Sequence, residues 1–460
     1  MHKSRTPPAL SARKPLFEVM RLIAASRRIP DWIWRDVAIP FVATRAMLVL
    51  VAWLGFHLVH HEVVFSGAFE FSGNGERRSV TGFVSPDLPF INMWSRWDAD
   101  WYLKIAKEGY SYEPGASSTT AFFPLYPLTI RVVHRALFLP SHDAGWAFSG
   151  ILVSNAALLA ALIYLVRLVR LDFDQATARR AALYLCVFPS TLFLSAVYTE
   201  SLFLLTIIAA FYYGRRGRWF VASLIGAASA LCRPPGFLLC IALAFEYLAQ
   251  RKFNWRAIRA GPLRVRRSAG CFNQLGRPAP SSSIDTSTTL QGLKELPATG
   301  GFGDILWLAL IPLALLGHLY FLRTKFGAWD ILQTSQEAWN RGFTLLPYTL
   351  RNVIMSAHPI EPLDIPAIDL AFFLFFLAAT IFGAFRLRLS YTVYAFLSVI
   401  FLSSWTTLHS LSRLGLMIFP AFIALAAVGR NENLERAFVV ICIGLAALFM
   451  LMFSQWAWVA

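Results

Sequence analysis

Eleven runs of apolar residues constrain the fold of this 460-residue chain more than any other feature. A helix needs about 20 mostly apolar residues to cross the ~30 Å hydrocarbon layer of a membrane. Runs that reach or approach this length lie near residues 40–60, 146–168, 181–198, 200–214, 219–233, 236–249, 303–323, 367–385, 391–408, 413–429 and 437–453. A soluble domain with 57% hydrophobic and 15% charged residues could not cover its own surface with polar groups. The sequence therefore predicts an all-α, polytopic membrane protein with about ten or eleven transmembrane helices.

The net charge of +16 is explained by topology rather than by a nucleic-acid partner. Its basic residues cluster at alternate ends of the apolar runs, as the positive-inside rule requires. The strongest clusters lie in segments 3–35, 167–180, 215–218, 251–294 and 386–388. Placing all of them inside predicts a multi-pass protein of the plasma (inner) membrane with a cytoplasmic N-terminus.

This topology divides the chain into four parts. They are a cytoplasmic basic arm (1–39), an N-terminal transmembrane catalytic module (40–249) with a large first extracytoplasmic loop (60–146), a basic and Ser/Thr-rich cytoplasmic linker (250–302), and C-terminal transmembrane helices (303–460) with an outer loop (327–366). Segment 122–139 is also apolar but contains Pro124, Pro127 and Arg131, so we expect a helix near the outer surface rather than a span.

The densest group of polar and aromatic residues follows Arg96 in the first outer loop. Apolar residues recur at helical spacing and Gly109 follows them, which predicts an amphipathic helix with Asp98 at its start. Asp98 is either an N-cap on a surface helix or a general base that takes a proton from an attacking hydroxyl. Asp100 falls on a different face of this helix, where it could be merely solvated.

Three further charged residues stand beside apolar runs on the predicted outer side. Glu200 follows Thr199, so it is either a first-turn acid behind an N-cap or a functional carboxylate near the hydrocarbon. Arg233, before a Pro-Pro pair, and Arg413 either bind phosphate oxygens or extend to the membrane interface.

Three motifs in this part of the chain occur in the order of a known family. They read Trp97-Asp98-Ala99-x-x-Tyr102-x-x-Ile105-Ala106-x-x-Gly109-Tyr110, Ala121-Phe122-Phe123-Pro124-x-x-Pro127 and Tyr198-Thr199-Glu200-Ser201-Leu202-Phe203. Together they resemble the GPI mannosyltransferase II-like family of GT-C glycosyltransferases, which includes bacterial members. The resemblance is dense from about Trp94 to Gly236 and continues loosely beyond.

The resemblance implies a GT-C-like bundle that moves a sugar, typically mannose, from a polyprenyl- or dolichyl-phosphate carrier to a glycolipid or glycan acceptor on the outer face. It implies a carboxylate in the first outer loop, which matches Asp98, as the base of an inverting displacement. We expect Arg413 or Arg233 to hold the departing phosphate and Glu200 to position the sugar or acceptor. The remaining candidates for substrate binding are Trp97, Asp100, Tyr102, Tyr110 and Phe123.

The sequence alone leaves other functions open. A transporter or lipid flippase would also explain the helices, although it predicts related repeats that the sequence does not display. A catalytically inactive assembly subunit is a third alternative. No cofactor is expected, because a lipid-phosphate leaving group needs only charge stabilisation. A divalent ion gathered by Asp98, Asp100 and Glu108 is the alternative, and the donor sugar, the acceptor and the linkage are undetermined.

Overall fold

The structure is a computed structural model that describes residues 30–58, 69–71, 77–79, 88–251, 302–337, 342–356, 365–408, 410–429, 431–455 and 457–459. The predicted basic arm before residue 30, the part of the first outer loop before residue 88 apart from 69–71 and 77–79, and the predicted linker from 252 to 301 lie outside the described residues.

The N-terminal half contains nine helices and one short hairpin among the described residues. In chain order these are α1 (Asp31–Leu58), strands β1 (Phe69–Phe71) and β2 (Arg77–Ser79), α2 (Pro89–Asn92), α3 (Ala99–Glu108), α4 (Leu125–Ala136), α5 (Asp143–Val169), α6 (Gln175–Val187), α7 (Glu200–Arg215), α8 (Trp219–Cys232) and α9 (Leu238–Gln250). The two strands pair in antiparallel orientation. Short 3-10 turns occupy Thr119–Ala121, Thr191–Leu194 and Pro234–Phe237.

The described residues of the C-terminal half contain eight helices. They are α10 (Leu310–Phe326), preceded by a 3-10 turn at Phe302–Ala309, then α11 (Ile331–Glu337), α12 (Leu346–Ser356), α13 (Ile365–Ala384), α14 (Leu389–Leu402), α15 (Leu411–Leu414), α16 (Phe419–Val428) and α17 (Glu432–Ser454). A 3-10 turn, Gly415–Met417, joins α15 to α16. The all-α, polytopic membrane architecture predicted from the sequence is confirmed.

The number of full-length spans is smaller than the number of apolar runs. Within the described residues, five helices are long and apolar enough to cross a membrane, and a pair bent by 80° at residue 418 brings the number to six. The five are Asp31–Leu58, Asp143–Val169, Gly303–Phe326, Pro366–Ala384 and Glu432–Ser454. Apolar helices of 10–17 residues cover Trp219–Cys232, Pro234–Gln250 and Leu389–Leu402. At 1.5 Å per residue, such helices are shorter than the hydrocarbon layer is thick.

One predicted run is not a single helix. The run 181–198 divides at Pro189, because α6 ends at Val187 and a 3-10 turn follows at Thr191–Leu194. Proline has no N–H to donate and disfavours the helical conformation of the residue before it, and Phe188 is accordingly extended with ψ 145°. The segment after the break therefore turns and leads into Glu200 at the start of α7.

The shorter predicted helices are found where the sequence places them. The helix after Asp98 ends at Gly109, whose φ of 91° suits a residue without a Cβ. Helix α4 has 12 residues, too few to span a bilayer, and it packs on α5 through the buried ring of Tyr126. The long helix α5 and α7 form the centre of the bundle, with Ala157 and Ala161 of α5 buried in it.

Candidate active site

A cavity of about 460 Å³ lies where the chain segments around α3, α8, α11, α14 and α15 meet. Three of the charged residues singled out in the sequence, Asp98, Arg233 and Arg413, line it. They come from three distant parts of the chain, so the fold itself assembles this cluster. Glu200 lies behind the lining, 3% exposed, at the first position of α7.

Asp98 occupies the N-cap position of α3 but does not act as a cap. Its side chain makes no capping hydrogen bond, and its Oδ2 instead accepts a hydrogen bond from Arg413 Nη1 at 2.9 Å. The preceding residue, Trp97, has a φ of 54°, a conformation that is rare for a bulky side chain. This local geometry aims the carboxylate into the cavity, where 19% of the side chain is exposed. The N-cap interpretation of the Asp98 side chain is therefore wrong.

Glu200 joins the two arginines of the site. Its Oε1 lies 2.5 Å from Arg233 Nη1 and 3.4 Å from Arg413 Nε. Thr199 occupies the N-cap position and Glu200 lies in the first turn, as predicted, but the Thr199 side chain makes no capping hydrogen bond. Glu200 was expected to position a sugar or acceptor, whereas its described contacts are with the two guanidinium groups.

Arg413 is buried rather than extended to the membrane interface. Its side chain is 2% exposed, and its guanidinium lies over the rings of Phe193, Tyr198 and Trp458 at 5.4, 5.1 and 5.6 Å. Aromatic faces attract a cation and hold its plane in one orientation. Arg413 therefore lies in the cavity lining with two carboxylates in contact with its guanidinium.

Asp369 of α13 fixes the backbone that carries Arg413. Its carboxylate accepts hydrogen bonds from the backbone N–H groups of Ser410, Leu411 and Ser412 at 3.1, 2.8 and 3.3 Å. Asp369 is 2% exposed, so these three donors replace its hydration. Sequence reasoning missed this residue, although an acid within the apolar run 367–385 was a usable signal.

The close approach of α13 to this turn depends on one glycine. A Cβ placed on Gly415 would lie 1.9 Å from the ring of Phe376. No real Cβ tolerates such a contact, so a side chain at this position would push Arg413 and α13 apart.

The aromatic candidates divide into those at the cavity and those beside it. Tyr102 and Phe123 line the cavity, and burial raises the pKa of the Tyr102 phenol above its ordinary value, so it stays a neutral hydrogen-bond donor. Tyr110 is not among the lining residues and donates its hydroxyl to the carbonyl of Phe122 at 2.9 Å. Trp97 packs edge-on against Trp458.

Asp100 is separated from the other acids. It is exposed on the outer face of α3 and is not among the residues that line the cavity. Within the described residues, no group of three or more His, Cys, Asp or Glu side chains gathers in a geometry that could hold a metal ion. The proposed metal trio of Asp98, Asp100 and Glu108 is therefore not assembled there.

The remaining cavity lining comes from residues that the sequence analysis did not single out. Apolar and aromatic side chains dominate part of it, namely Phe343, Phe401, Leu402, Trp405, Leu414 and Met417. Polar side chains of α11 and its start form another part, namely Asp330, Gln333, Gln336 and Glu337. Because α11 and α14 contain no recognisable motif, only the fold reveals their place at the site.

Comparisons with known proteins agree with the three sequence motifs. Residues 39–262, just under half of the chain, match the family model described as Mannosyltransferase (PIG-V). This stretch includes Asp98, Glu200 and Arg233 but not Arg413. The resemblance to the GPI mannosyltransferase II-like family is thereby confirmed.

Individual relatives match over shorter stretches. The GPI alpha-1,6-mannosyltransferase 2 of Mus musculus is 33% identical over 150 residues, 31% of this chain and 29% of the relative. That of Homo sapiens is 30% identical over 186 residues, 39% of this chain and 35% of the relative. The GPI mannosyltransferase 2 of Yarrowia lipolytica is 29% identical over 170 residues, 37% of this chain and 44% of the relative. The matched region thus spans less than half of each relative.

Among solved structures, the chain is similar to the oligosaccharyltransferase of Archaeoglobus fulgidus crystallised with a tethered acceptor peptide. The TM-score is 0.39 at 14% identity, covering 93% of this chain and 55% of that protein.

Proposed function

Residues 39–262 form a region of the mannosyltransferase (PIG-V) family, and from this premise we propose that the chain transfers a sugar from a polyprenyl-phosphate carrier to an acceptor hydroxyl. The donor sugar in this proposal is mannose and the acceptor is a glycolipid or glycan. The observation that carries it is the contact between Asp98 and Arg413 at the cavity, since it joins a carboxylate base to a phosphate-binding cation.

The proposed reaction is a single inverting displacement. The acceptor O–H bond breaks, its proton passes to Asp98, and the acceptor oxygen forms a bond to the anomeric carbon. The bond from that carbon to the phosphate oxygen breaks, and its electron pair leaves with the polyprenyl phosphate. One negative charge therefore moves from Asp98 to the phosphate during the step.

The two arginines are suited to that charge movement. With Asp98 and Glu200 ionised, the four side chains carry no net charge, and the donor phosphodiester adds one negative charge. As the phosphate becomes a dianion, Arg413 and Arg233 are already oriented by Glu200 and need little reorganisation. Arriving phosphate also competes with Asp98 for Arg413, which frees the carboxylate to act as a base.

The surroundings of the cavity suit a lipid-linked donor. Its apolar lining, with Phe401, Leu402 and Trp405, offers a surface for the isoprenoid next to the arginines. Tyr102 can donate a hydrogen bond to the sugar from the floor of the site. We place the site on the outer face of the plasma membrane with the N-terminus in the cytoplasm, since the positive-inside pattern supports that orientation.

No cofactor is required in this scheme, because guanidinium groups stabilise the leaving phosphate. We expect transfer to persist when divalent ions are removed with EDTA. A loss of transfer that Mg²⁺ or Mn²⁺ restores would assign the charge stabilisation to a metal instead.

The proposal is tested by incubating the protein in lipid vesicles with radiolabelled polyprenyl-phosphate mannose and cell-envelope glycolipids. We expect label in a new product and a loss of about 10²–10⁴-fold in the Asp98→Asn variant, the usual contribution of a positioned base. Glu108→Gln, an exposed acid at the end of the same helix, is the matched control. Undiminished transfer by Asp98→Asn would refute the assignment of the base, and movement of unchanged donor across the bilayer would favour a transporter.

A further inference from the structure

We infer that helix α11 forms the binding site for the acceptor and that this acceptor is a neutral, polyhydroxylated glycan. This inference rests on the proposed transfer reaction and extends it to a substrate class. The residues that carry it are Asp330, Gln333, Gln336 and Glu337, which line the same cavity as Asp98. Their spacing of three or four residues places them on one face of the helix.

The chemistry of this face matches sugar hydroxyl groups. Carboxylate oxygens accept hydrogen bonds, and amide groups both donate and accept them, which is the mixed set that neighbouring hydroxyls need. Trp329, exposed at the start of the segment, also lines the cavity. The Arg323 guanidinium lies 5.0 Å from the centre of its ring, and the aromatic surface can pack against the C–H groups of a sugar ring. Gln333 and Asp330 are exposed. Gln333 Nε2 donates to Glu337 Oε1 at 3.4 Å, which leaves the amide oxygen and one N–H of Gln333 for a ligand.

The charge of this face excludes the anionic part of the donor. Asp330 and Glu337 add two acids to the cavity lining, and no ion pair joins them to Arg233 or Arg413 among the described contacts. A phosphate placed beside Asp330 and Glu337 would meet like charge. The donor phosphate therefore belongs at the arginines, and the α11 face is left for an uncharged partner.

Helix α11 is fixed relative to the reacting groups by two contacts. Ser335 and Thr120 share a hydrogen bond of 2.6 Å between their buried hydroxyls. Gln336 Nε2 donates to the carbonyl of Ala121 at 2.9 Å. Because the turn at Thr119–Ala121 leads directly into Phe122 and Phe123 of the cavity, the helix is held in position before any ligand arrives.

We expect α11 to determine the specificity for the acceptor, because it comes from a different part of the chain than the matched motifs. It lies outside residues 39–262, the stretch that matches the family model. The base and one arginine thus belong to the matched stretch, whereas the acceptor face is supplied by the C-terminal half of this chain.

The test compares Asp330→Asn and Gln333→Ala with Thr334→Ala, an exposed residue of the same helix that does not line the cavity. In the transfer assay we expect each of the first two to raise the acceptor KM by about tenfold, the effect of one lost hydrogen bond to a ligand. The donor KM and kcat at saturating acceptor should stay within about twofold, and Thr334→Ala should match the wild type. Unchanged acceptor KM values in both cavity variants would overturn the inference.

A binding experiment separates this inference from the proposed function. Saturation-transfer NMR with methyl α-mannopyranoside and methyl α-glucopyranoside as probes should detect binding to the wild type and to Thr334→Ala, and weaker binding to Asp330→Asn and Gln333→Ala. Equal signals from all four proteins, or none from the wild type, would overturn it. If the wild type transfers no sugar while binding depends on Asp330 and Gln333, the proposed reaction fails and the glycan site stands.

Discussion

Two clusters of two acids and two arginines lie at opposite ends of α7, and they differ in one respect that matters. The cavity cluster contains Glu200 at the first residue of α7, with Asp98, Arg233 and Arg413. The second cluster contains Arg215 at its last residue, with Asp172, Glu246 and Arg388. At 1.5 Å per residue, 16 helical residues separate them by about 22 Å.

The second cluster is hydrogen-bonded throughout. Both oxygens of Glu246 accept hydrogen bonds, one from Gln250 and Arg388 and the other from Ser390 and Arg388. Arg215 forms a two-pronged ion pair with Asp172 and donates to the hydroxyl of Tyr391 at 2.8 Å. None of these residues lines the cavity, so the cluster serves to join α7, α9 and α14.

The cavity cluster is open and incompletely bonded. Glu200 Oε2 is buried without a hydrogen-bond partner among the described residues, and Arg413 Nε has only its 3.4 Å contact to Glu200. Buried polar atoms in this state cost free energy that packing elsewhere must offset. The number of ion pairs therefore does not distinguish the candidate active site from a structural cluster. Contact with a cavity and buried polar atoms without hydrogen bonds do distinguish it.

The largest effect expected from this comparison follows replacement of Arg413 by lysine. An ammonium group cannot contact Asp98 and Glu200 in the planar geometry of the guanidinium, so stabilisation of the leaving phosphate is lost. We expect kcat in the transfer assay to fall by about 10²–10³-fold, the usual cost of losing one preorganised donor. Arg388→Lys in the second cluster is the control and should retain transfer within about twofold. Equal losses in the two variants would mean that the clusters do not differ in function.

A smaller effect is expected from Asp369→Asn. The amide keeps one acceptor oxygen for the three backbone N–H groups and loses the charge that strengthens those bonds. Arg413 should then be less well positioned, and we expect about a tenfold loss in kcat/KM for the donor, equivalent to about 1.4 kcal/mol. The decisive measurement is the double variant with Arg413→Lys, in which Asp369→Asn should cost little more. Fully additive losses would show that Asp369 acts independently of Arg413.

The smallest effect on transfer is expected from Glu246→Gln, together with a clear effect on stability. Removing one partner of a buried ion pair leaves Arg215 and Arg388 short of an anion, which costs about 3–5 kcal/mol of folding stability. The melting temperature in detergent should fall, while transfer per folded molecule stays within about twofold. A strong loss of transfer at an unchanged melting temperature would place the second cluster in the catalytic machinery.

Much of this architecture follows from the sequence because it is encoded locally. The apolar runs and Gly109 predicted α3, α5 and α13, whereas the run 181–198 was predicted as one helix and its break at Pro189 was missed. The motifs around Asp98 and Glu200 also pointed to residues that the fold brings to one cavity.

The residues that contact Asp98 and Glu200 could not be predicted from local sequence patterns. Asp98 and Arg413 are 315 positions apart, and no local pattern encodes such a contact. The support that Asp369 gives to the Arg413 turn depends on the packing of Gly415 against Phe376, which only the assembled helices define. The runs 200–214, 219–233 and 236–249, which are short for full spans, form helices of 16, 14 and 13 residues.

Arg413 lies outside residues 39–262, the stretch that matches the family model, so a grouping of related chains by this stretch does not include it. Sorting them by that stretch alone would compare Asp98, the proposed proton acceptor, and ignore Arg413, the proposed partner of the departing phosphate. Two chains could then share every N-terminal motif and still differ in which leaving group they tolerate. A chimera that joins this N-terminal half to another C-terminal half would contain the Asp98 carboxylate. That carboxylate would have no arginine partner unless the other C-terminal half has a turn equivalent to the one that holds Arg413.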